Sequence, residues 1–172
     1  MRPDEDYQAF VDARYARLVR SAVLFGCSEQ DAEDAVQEAL IQCYGAWGRV
    51  STADDRDAYV YRVLVNGITR SRRRRWRGEI PYRDLPEPPA TEDPAAGVSL
   101  SQSIRASLAR LGREQRQVLV LRYFADLTEA QIATVLGIAP GTVKSRASRA
   151  IAVLSEDRSL DDLITRTHEE NR

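Results

Sequence analysis

Apolar residues recur every three or four positions through most of this chain, the spacing of one face of an α-helix, and no convincing strand alternation is present. Tyr7, Phe10, Val11, Tyr15, Leu18, Ala22 and Phe25 predict an amphipathic helix over residues 4–25, ended by Gly26. Ser28 can cap a second helix running to about residue 47, with Glu29 and Asp31 in the first turn, where the helix dipole favours acids. Its buried face is Val36, Ala39, Leu40, Cys43, Tyr44 and Trp47, which leaves Asp34, Gln37, Glu38, Ile41 and Gln42 outside. Residues 48–57 read as a polar loop. A third helix follows with Tyr59, Val60, Val63, Leu64 and Ile68 inward, and it ends in SRRRRWR. Gly67 in its middle costs about 1 kcal/mol relative to alanine.

The periodicity stops at residues 78–98, which are too rich in proline for a helix or a central strand and read as an extended linker between two domains. Beyond it, Leu100, Ile104, Leu108 and Leu111 mark a helix broken by Gly112, and Val118, Leu119, Leu121 and Tyr123 mark another over residues 113–124. Thr128 with Gln131 fits a capping box, followed by an apolar stripe of Ile132, Ala133, Val135 and Leu136. Gly137 suits a left-handed helix end, and Pro140 suits a first helical position. A short helix, a tight turn and a second helix are the parts of a helix-turn-helix. In the second helix Val143, Ala147, Ala150, Ile151 and Leu154 share one side, and Thr142, Ser145, Ser148 and Arg149 the other, with Lys144 and Arg146 on the flanks. No acid lies between Glu129 and Glu156, so the exposed face is short, polar and positive, as a major-groove reader requires. An ordinary solvated basic face is the competing account. The tail, residues 156–172, is acidic, with one further helical turn expected near residues 160–164.

Charge sharpens this division. The net charge of −1 conceals five acids and no base over residues 28–38, and seven arginines and no acid over residues 61–77. Residues 79–94 then hold five acids, five prolines and one arginine. An isoleucine inside an acidic face suits a protein-docking surface, with a solvated face as the alternative. Four consecutive arginines beside Trp76 exceed what a solubilising helix end requires; phosphate binding with an aromatic able to stack on a base accounts for them better. The chain has no apolar run long enough to span a bilayer, and its polar, acidic start does not resemble a signal peptide. Cys27 and Cys43 read as buried free thiols of a cytoplasmic protein. With His168 the only histidine, no zinc set can be assembled, and no cofactor motif is present.

These motifs together resemble the extracytoplasmic-function group of bacterial RNA polymerase sigma factors, over about residues 10–154. The resemblance is carried by DAEDAVQEAL at residues 31–40, YVYRVLVNGITRSRRRR at residues 59–75, and the stretch from LARLGREQ at residue 108 to SRASRAI ending at residue 151. It implies an all-α chain of two small helical domains: a sigma region 2 bundle at residues 1–77 and a sigma region 4 helix-turn-helix at residues 99–155, joined by a flexible acidic proline-rich linker. It further implies that Asp34, Gln37, Glu38 and Ile41 dock on the clamp helices of the polymerase β′ subunit. Arg49, Arg56, Tyr59, Arg62, Asn66, Arg70, Arg73, Arg74 and Trp76 would recognise and open the −10 element, and Thr142, Lys144, Ser145, Arg146, Ser148 and Arg149 would read the −35 element. The implied partners are polymerase core through β′ and the β flap, promoter DNA, and an anti-sigma protein, with no membrane insertion and no enzymatic step. The chain departs from the family pattern at Gly112, Gln131, Gly67, Arg70 and Ala139; the last replaces a frequent serine cap, which is worth about 1 kcal/mol. A free-standing helix-turn-helix regulator is the main alternative, but it would need a sensor domain and a dimer surface that nothing in the first half supplies. An arginine-rich RNA-binding protein would leave the helix-turn-helix unexplained.

Overall fold

The computed structural model describes residues 3–52, 55–78 and 100–156. The proline-rich linker, the expected turn at residues 160–164 and His168 lie outside the described residues. Those described form eight helices and no strand: α1 (Pro3–Leu24), α2 (Glu29–Gly45), α3 (Trp47–Val50), α4 (Arg56–Trp76), α5 (Leu100–Ala109), α6 (Arg113–Tyr123), α7 (Glu129–Leu136) and α8 (Pro140–Ser155).

Helices α1, α2 and α4 pack as a bundle around Leu18, Ala22, Phe25, Val36, Leu40, Cys43, Tyr61 and Leu64, all buried. Gly26 ends α1 at φ +97°, a conformation that an L side chain resists, while Cys27 N–H closes back on the Ala22 carbonyl. Ser28 caps α2 by accepting from Asp31 N–H, as its place in the sequence predicts. The second helix, however, stops at Gly45, and the expected loop begins as a helical turn, α3, with Trp47 and Val50 buried. Trp47 packs edge-on against Tyr7 at 5.1 Å and donates through Nε1 to Asp6. Tyr44, expected inside, is 52% exposed instead; it lies on the Tyr7 ring and donates its hydroxyl to Asp4. The same kind of displacement occurs in α4. Tyr61 and not Tyr59 is the inward aromatic, fully buried with its hydroxyl 3.0 Å from Ser21 Oγ.

Helix α4 runs unbroken through Gly67, and a methyl added at that glycine would meet nothing within 4 Å. Gly67→Ala should therefore stabilise the protein by about 1 kcal/mol, seen as a rise of roughly 2–4 °C in the calorimetric Tm. An unchanged or lower Tm would show that the helix is strained there.

Helices α6, α7 and α8 enclose Val118, Leu121, Ile132, Val135, Val143, Ala147 and Ala150. The Thr128–Gln131 capping box is present, Gly137 is left-handed at φ +65°, and Pro140 opens α8. Ala139 provides no side-chain cap. Ile151, expected on the buried side of α8, is 44% exposed. The two groups of helices do not stand apart: α7 lies on α4 and α6 on α1, and their apolar residues form one continuous core.

Candidate functional site

Three surfaces carry the residues singled out in the sequence. On α2, Asp34, Gln37, Glu38 and Ile41 are all exposed. Their spacing places them in one stripe along the helix, and Ile41 presents 71% of its surface to solvent. Asp34 and Glu38 edge a cleft of about 190 Å³ shared with Ser71, Arg72 and Arg75 of α4. An acidic stripe with an exposed aliphatic residue at its end can bind a basic, partly apolar helix surface, with charge at the rim and burial at the centre.

The second surface lies along α4. Asn66, Thr69, Arg70, Arg73, Arg74 and Arg77 line an open cleft of about 440 Å³. Thr69 and Arg77 join this group only because one face of the helix brings them there; sequence reasoning singled out neither. Trp76, 91% exposed, stands at the helix end with its ring free to stack. The other arginines of the run do different work. Arg72 donates to the Phe25 carbonyl at the end of α1, and Arg75 forms an ion pair with Asp31 of α2. That Arg75 hydrogen bond holds the Asp31 carboxyl below its ordinary value of 3.8. Because the folded value is depressed, the stabilisation exists above the unfolded value and is lost as pH falls through the folded one. Wild type and Asp31→Asn should accordingly differ in urea midpoint at pH 6 and converge under strongly acid conditions; a constant difference would rule the pair out as the cause.

Of the remaining candidates on this half, Tyr59, Arg62 and Arg49 are exposed. Arg56 is committed internally: it donates to the Ser51 carbonyl and to Asp6, and lies 5.9 Å over the Trp47 ring. Asp57 accepts from both Arg14 and Arg17, tying the start of α4 to α1. These bonds hold the start of α4, which carries Tyr59 and Arg62, against α1 and the end of α3.

The third surface is the outer face of α8. Lys144, Ser148 and Arg149 are exposed, Thr142 and Ser145 half-buried, with the Ser145 hydroxyl donating to the Thr142 carbonyl. Arg146 pairs with Glu114 of α6 at 2.7 Å and is only 21% exposed through its side chain. The structure thus places Arg146 as a brace between α6 and α8 as well as at the edge of the basic face. An exposed Tyr123 at the end of α6, with Arg122 over its ring, marks a further apolar contact point on this half.

Comparison with known proteins bears on all three surfaces. Residues 10–78 match the family model for Sigma-70 region 2, and residues 101–154 the model for Sigma-70 region 4. The chain is 35% identical over 167 residues to the RNA polymerase sigma-E factor of Streptomyces coelicolor, covering 95% of this chain and 92% of that protein. It is 32% identical over 142 residues to the ECF RNA polymerase sigma factor SigM of Mycobacterium tuberculosis, covering 82% and 71%. Among solved structures, the sigma factor RpoE of Bartonella quintana in complex with the anti-sigma factor NepR superposes with a TM-score of 0.75 at 24% identity, covering 88% of this chain and 96% of that one. CnrH in complex with the cytosolic domain of CnrY gives a TM-score of 0.64 at 24% identity, over 92% and 90%.

Proposed function

Because the chain belongs to the extracytoplasmic-function group of RNA polymerase sigma factors, we propose that its three surfaces divide the work of promoter-specific initiation. The protein is an alternative sigma factor acting with core RNA polymerase. The observation that carries the residue-level reading is that one chain holds an exposed acidic stripe ending in Ile41, an arginine cleft with a free tryptophan, and a capped helix-turn-helix. The α2 stripe, Asp34, Gln37, Glu38 and Ile41, docks on the β′ clamp helices. The α4 cleft, with Asn66, Arg70, Arg73, Arg74 and Trp76, holds the melted −10 strand by phosphate contacts and stacking, each stacked base contributing about 1–3 kcal/mol. Lys144, Ser148 and Arg149, with Thr142 and Ser145, read the −35 duplex in the major groove. Arg56 and Arg146 serve these surfaces through their internal ion pairs, by holding the start of α4 and α8 in place.

Domain limits of 1–77 for region 2 and 99–155 for region 4, with residues 156–172 as a tail, are consistent with the helix boundaries. The protein works by binding and DNA opening, without a chemical step of its own, in the compartment of the polymerase. None of the described helices is long and apolar enough to cross a membrane. An anti-sigma protein is a candidate partner, since RpoE, similar in fold, was captured with the anti-sigma factor NepR bound.

The packed arrangement has a geometric consequence. The −35 and −10 elements are centred roughly 25 base pairs apart, on the order of 80 Å at 3.4 Å per pair. Helices packed face to face lie about 8–10 Å apart, and α7 is packed on α4. Both readers can occupy one promoter only after the two regions separate. Binding by the isolated chain should be weak, and polymerase, by fixing the spacing, should make it tight. Run-off transcription with purified core tests the activity: addition of the chain should produce a discrete promoter-dependent transcript. Core that fails to initiate, or a specific nanomolar gel shift by the chain alone, would return the free-standing regulator.

A further inference from the structure

The junction between the two regions contains an arrangement that promoter binding does not use. Arg72 of α4 and Arg116 of α6 both reach Gly26; a methyl group at Gly26 would sit 2.7 Å from Arg116 Nη1 and 3.3 Å from Arg72 Nη2. Two guanidinium groups, one from each region, therefore converge on a single point at the end of α1. Their hydrogen bonds run to backbone carbonyls, Arg72 to Phe25 and Arg116 to Ala109 and Leu111, and neither of these bonds reaches a carboxylate. Arg116 Nε is buried and has no hydrogen-bond partner among the described residues. Burial, with the Arg72 charge beside it, holds the Arg116 guanidinium below the usual arginine value. Beside this pair opens a cleft of about 350 Å³ lined by Gly26, Cys27, Ser28, Arg105 and Arg116. Of the nearby acids, Asp31 pairs with Arg75, and Glu29, 80% exposed, pairs only loosely with Arg105 at 3.6 Å, so that an anion in the cleft can take its place.

Arg105 and Arg116 line this cleft, and Arg72 reaches its edge at Gly26. Arg72 and Arg116 are drawn together with no carboxylate among the described residues bonded to either, and like charges so placed repel unless an anion lies between them. We propose that Arg72, Arg105 and Arg116 form a site for a compact phosphate-class oxyanion, and that its occupancy holds regions 2 and 4 in the packed arrangement. Arginine is suited to this because its planar fork matches a phosphate edge with two parallel hydrogen bonds. The ligand is small because the cleft is small; an inorganic phosphate or pyrophosphate group fits its volume, whereas a duplex does not. Since the arginines come from α4 on one side and from α5 and α6 on the other, the bound anion bridges the two regions. The site thereby opposes the separation that promoter engagement requires, and this regulatory consequence rests on the reading of the chain as a sigma factor. The binding itself does not, and it is measured without polymerase or promoter.

The test uses the full chain with inorganic pyrophosphate at constant ionic strength, chloride replacing it in the control. Calorimetry reports binding, and small-angle X-ray scattering reports the radius of gyration. Saturable binding of one pyrophosphate per chain is expected, with a smaller radius than in chloride. Arg72→Gln and Arg105→Gln should each weaken binding by roughly ten- to hundredfold, the loss expected for a hydrogen bond to a charged group. Arg105→Gln is included because Arg72 also closes the end of α1 and its removal could loosen the fold; circular dichroism checks each variant. A short single-stranded oligonucleotide serves as a second arm, to separate a free oxyanion from backbone phosphate. Binding lost in Arg77→Gln and retained in both junction variants would place the anion in the α4 cleft and overturn the assignment. So would compaction by the oligonucleotide alone, or binding with no change in radius.

Discussion

Replacing Asp34 and Glu38 together by arginine is expected to abolish association with polymerase core while leaving the folded protein intact. Both side chains are exposed on α2 and neither belongs to the bundle core, so circular dichroism and Tm should change little. At the interface, two acids facing a basic helix surface become two bases, and like-charge juxtaposition costs several kcal/mol. That is a loss of at least about a hundredfold in affinity at 1.4 kcal/mol per decade. Co-purification of tagged chain with β′, followed by run-off transcription, measures it. Retained co-purification would remove the α2 stripe from the docking surface. Ile41→Ala provides a graded companion: it removes the exposed aliphatic group without changing charge, and should weaken association without abolishing it.

A covalent tie between α4 and α6 should be equally damaging by a different route. Arg113 of α6 donates to the Thr69 hydroxyl of α4 across the junction, so cysteines at these two positions can be bridged by a cleavable bis-maleimide. The native thiols compete poorly. Burial pushes Cys43 up to about 11 and raises Cys27 as well, and the thiolate is the reactive form. The bridged Thr69→Cys, Arg113→Cys protein should lose promoter-dependent transcription by at least about a hundredfold, because the readers cannot span on the order of 80 Å of duplex. Cleavage of the bridge should restore activity to that of the unbridged variant. Full transcription by the bridged protein would mean that the packed arrangement is compatible with initiation. Charge reversal on α2 removes core binding, whereas the bridge leaves the α2 stripe untouched, so the two losses can be told apart by co-purification.

Local chemistry made much of this protein legible. Ser28, Thr128 with Gln131, Gly137 and Pro140 each act within one helix turn of their own position, and each sits in the structure as its residue type requires. The exposed α2 stripe was legible for the same reason, since helical periodicity alone separates Asp34, Gln37, Glu38 and Ile41 from Val36, Leu40 and Cys43. The errors fall where a helix face is ambiguous by one position. Tyr44 and Tyr59 are amphipathic, and which of the neighbouring aromatics turns inward depends on the partner surface: Trp47 takes the space beside Tyr7, and Tyr61 reaches Ser21. Ile151 faces solvent because the turns of α8 that carry Val143, Ala147 and Ala150 fill the space against α6 and α7, and nothing in its own neighbourhood encodes that limit.

The arginines show the boundary most clearly. Composition and spacing alone determined that the chain is helical, that it carries one acidic and one basic helix face, and that a helix-turn-helix follows a proline-rich break. Those properties are sums over neighbouring residues. What each charge does was decided by tertiary contacts. Among five arginines between residues 70 and 75, Arg72 closes α1, Arg75 pairs with Asp31, and Arg70, Arg73 and Arg74 are left for the cleft. Arg146, on the flank of the face that Arg149 occupies, is taken by Glu114. The packing of α7 on α4, and with it the convergence of Arg72 and Arg116, depends on residues more than forty positions apart in sequence. A guanidinium pairs with whatever oxygen the fold brings within about 3 Å, and that proximity is a property of the packed chain and not of any segment of it.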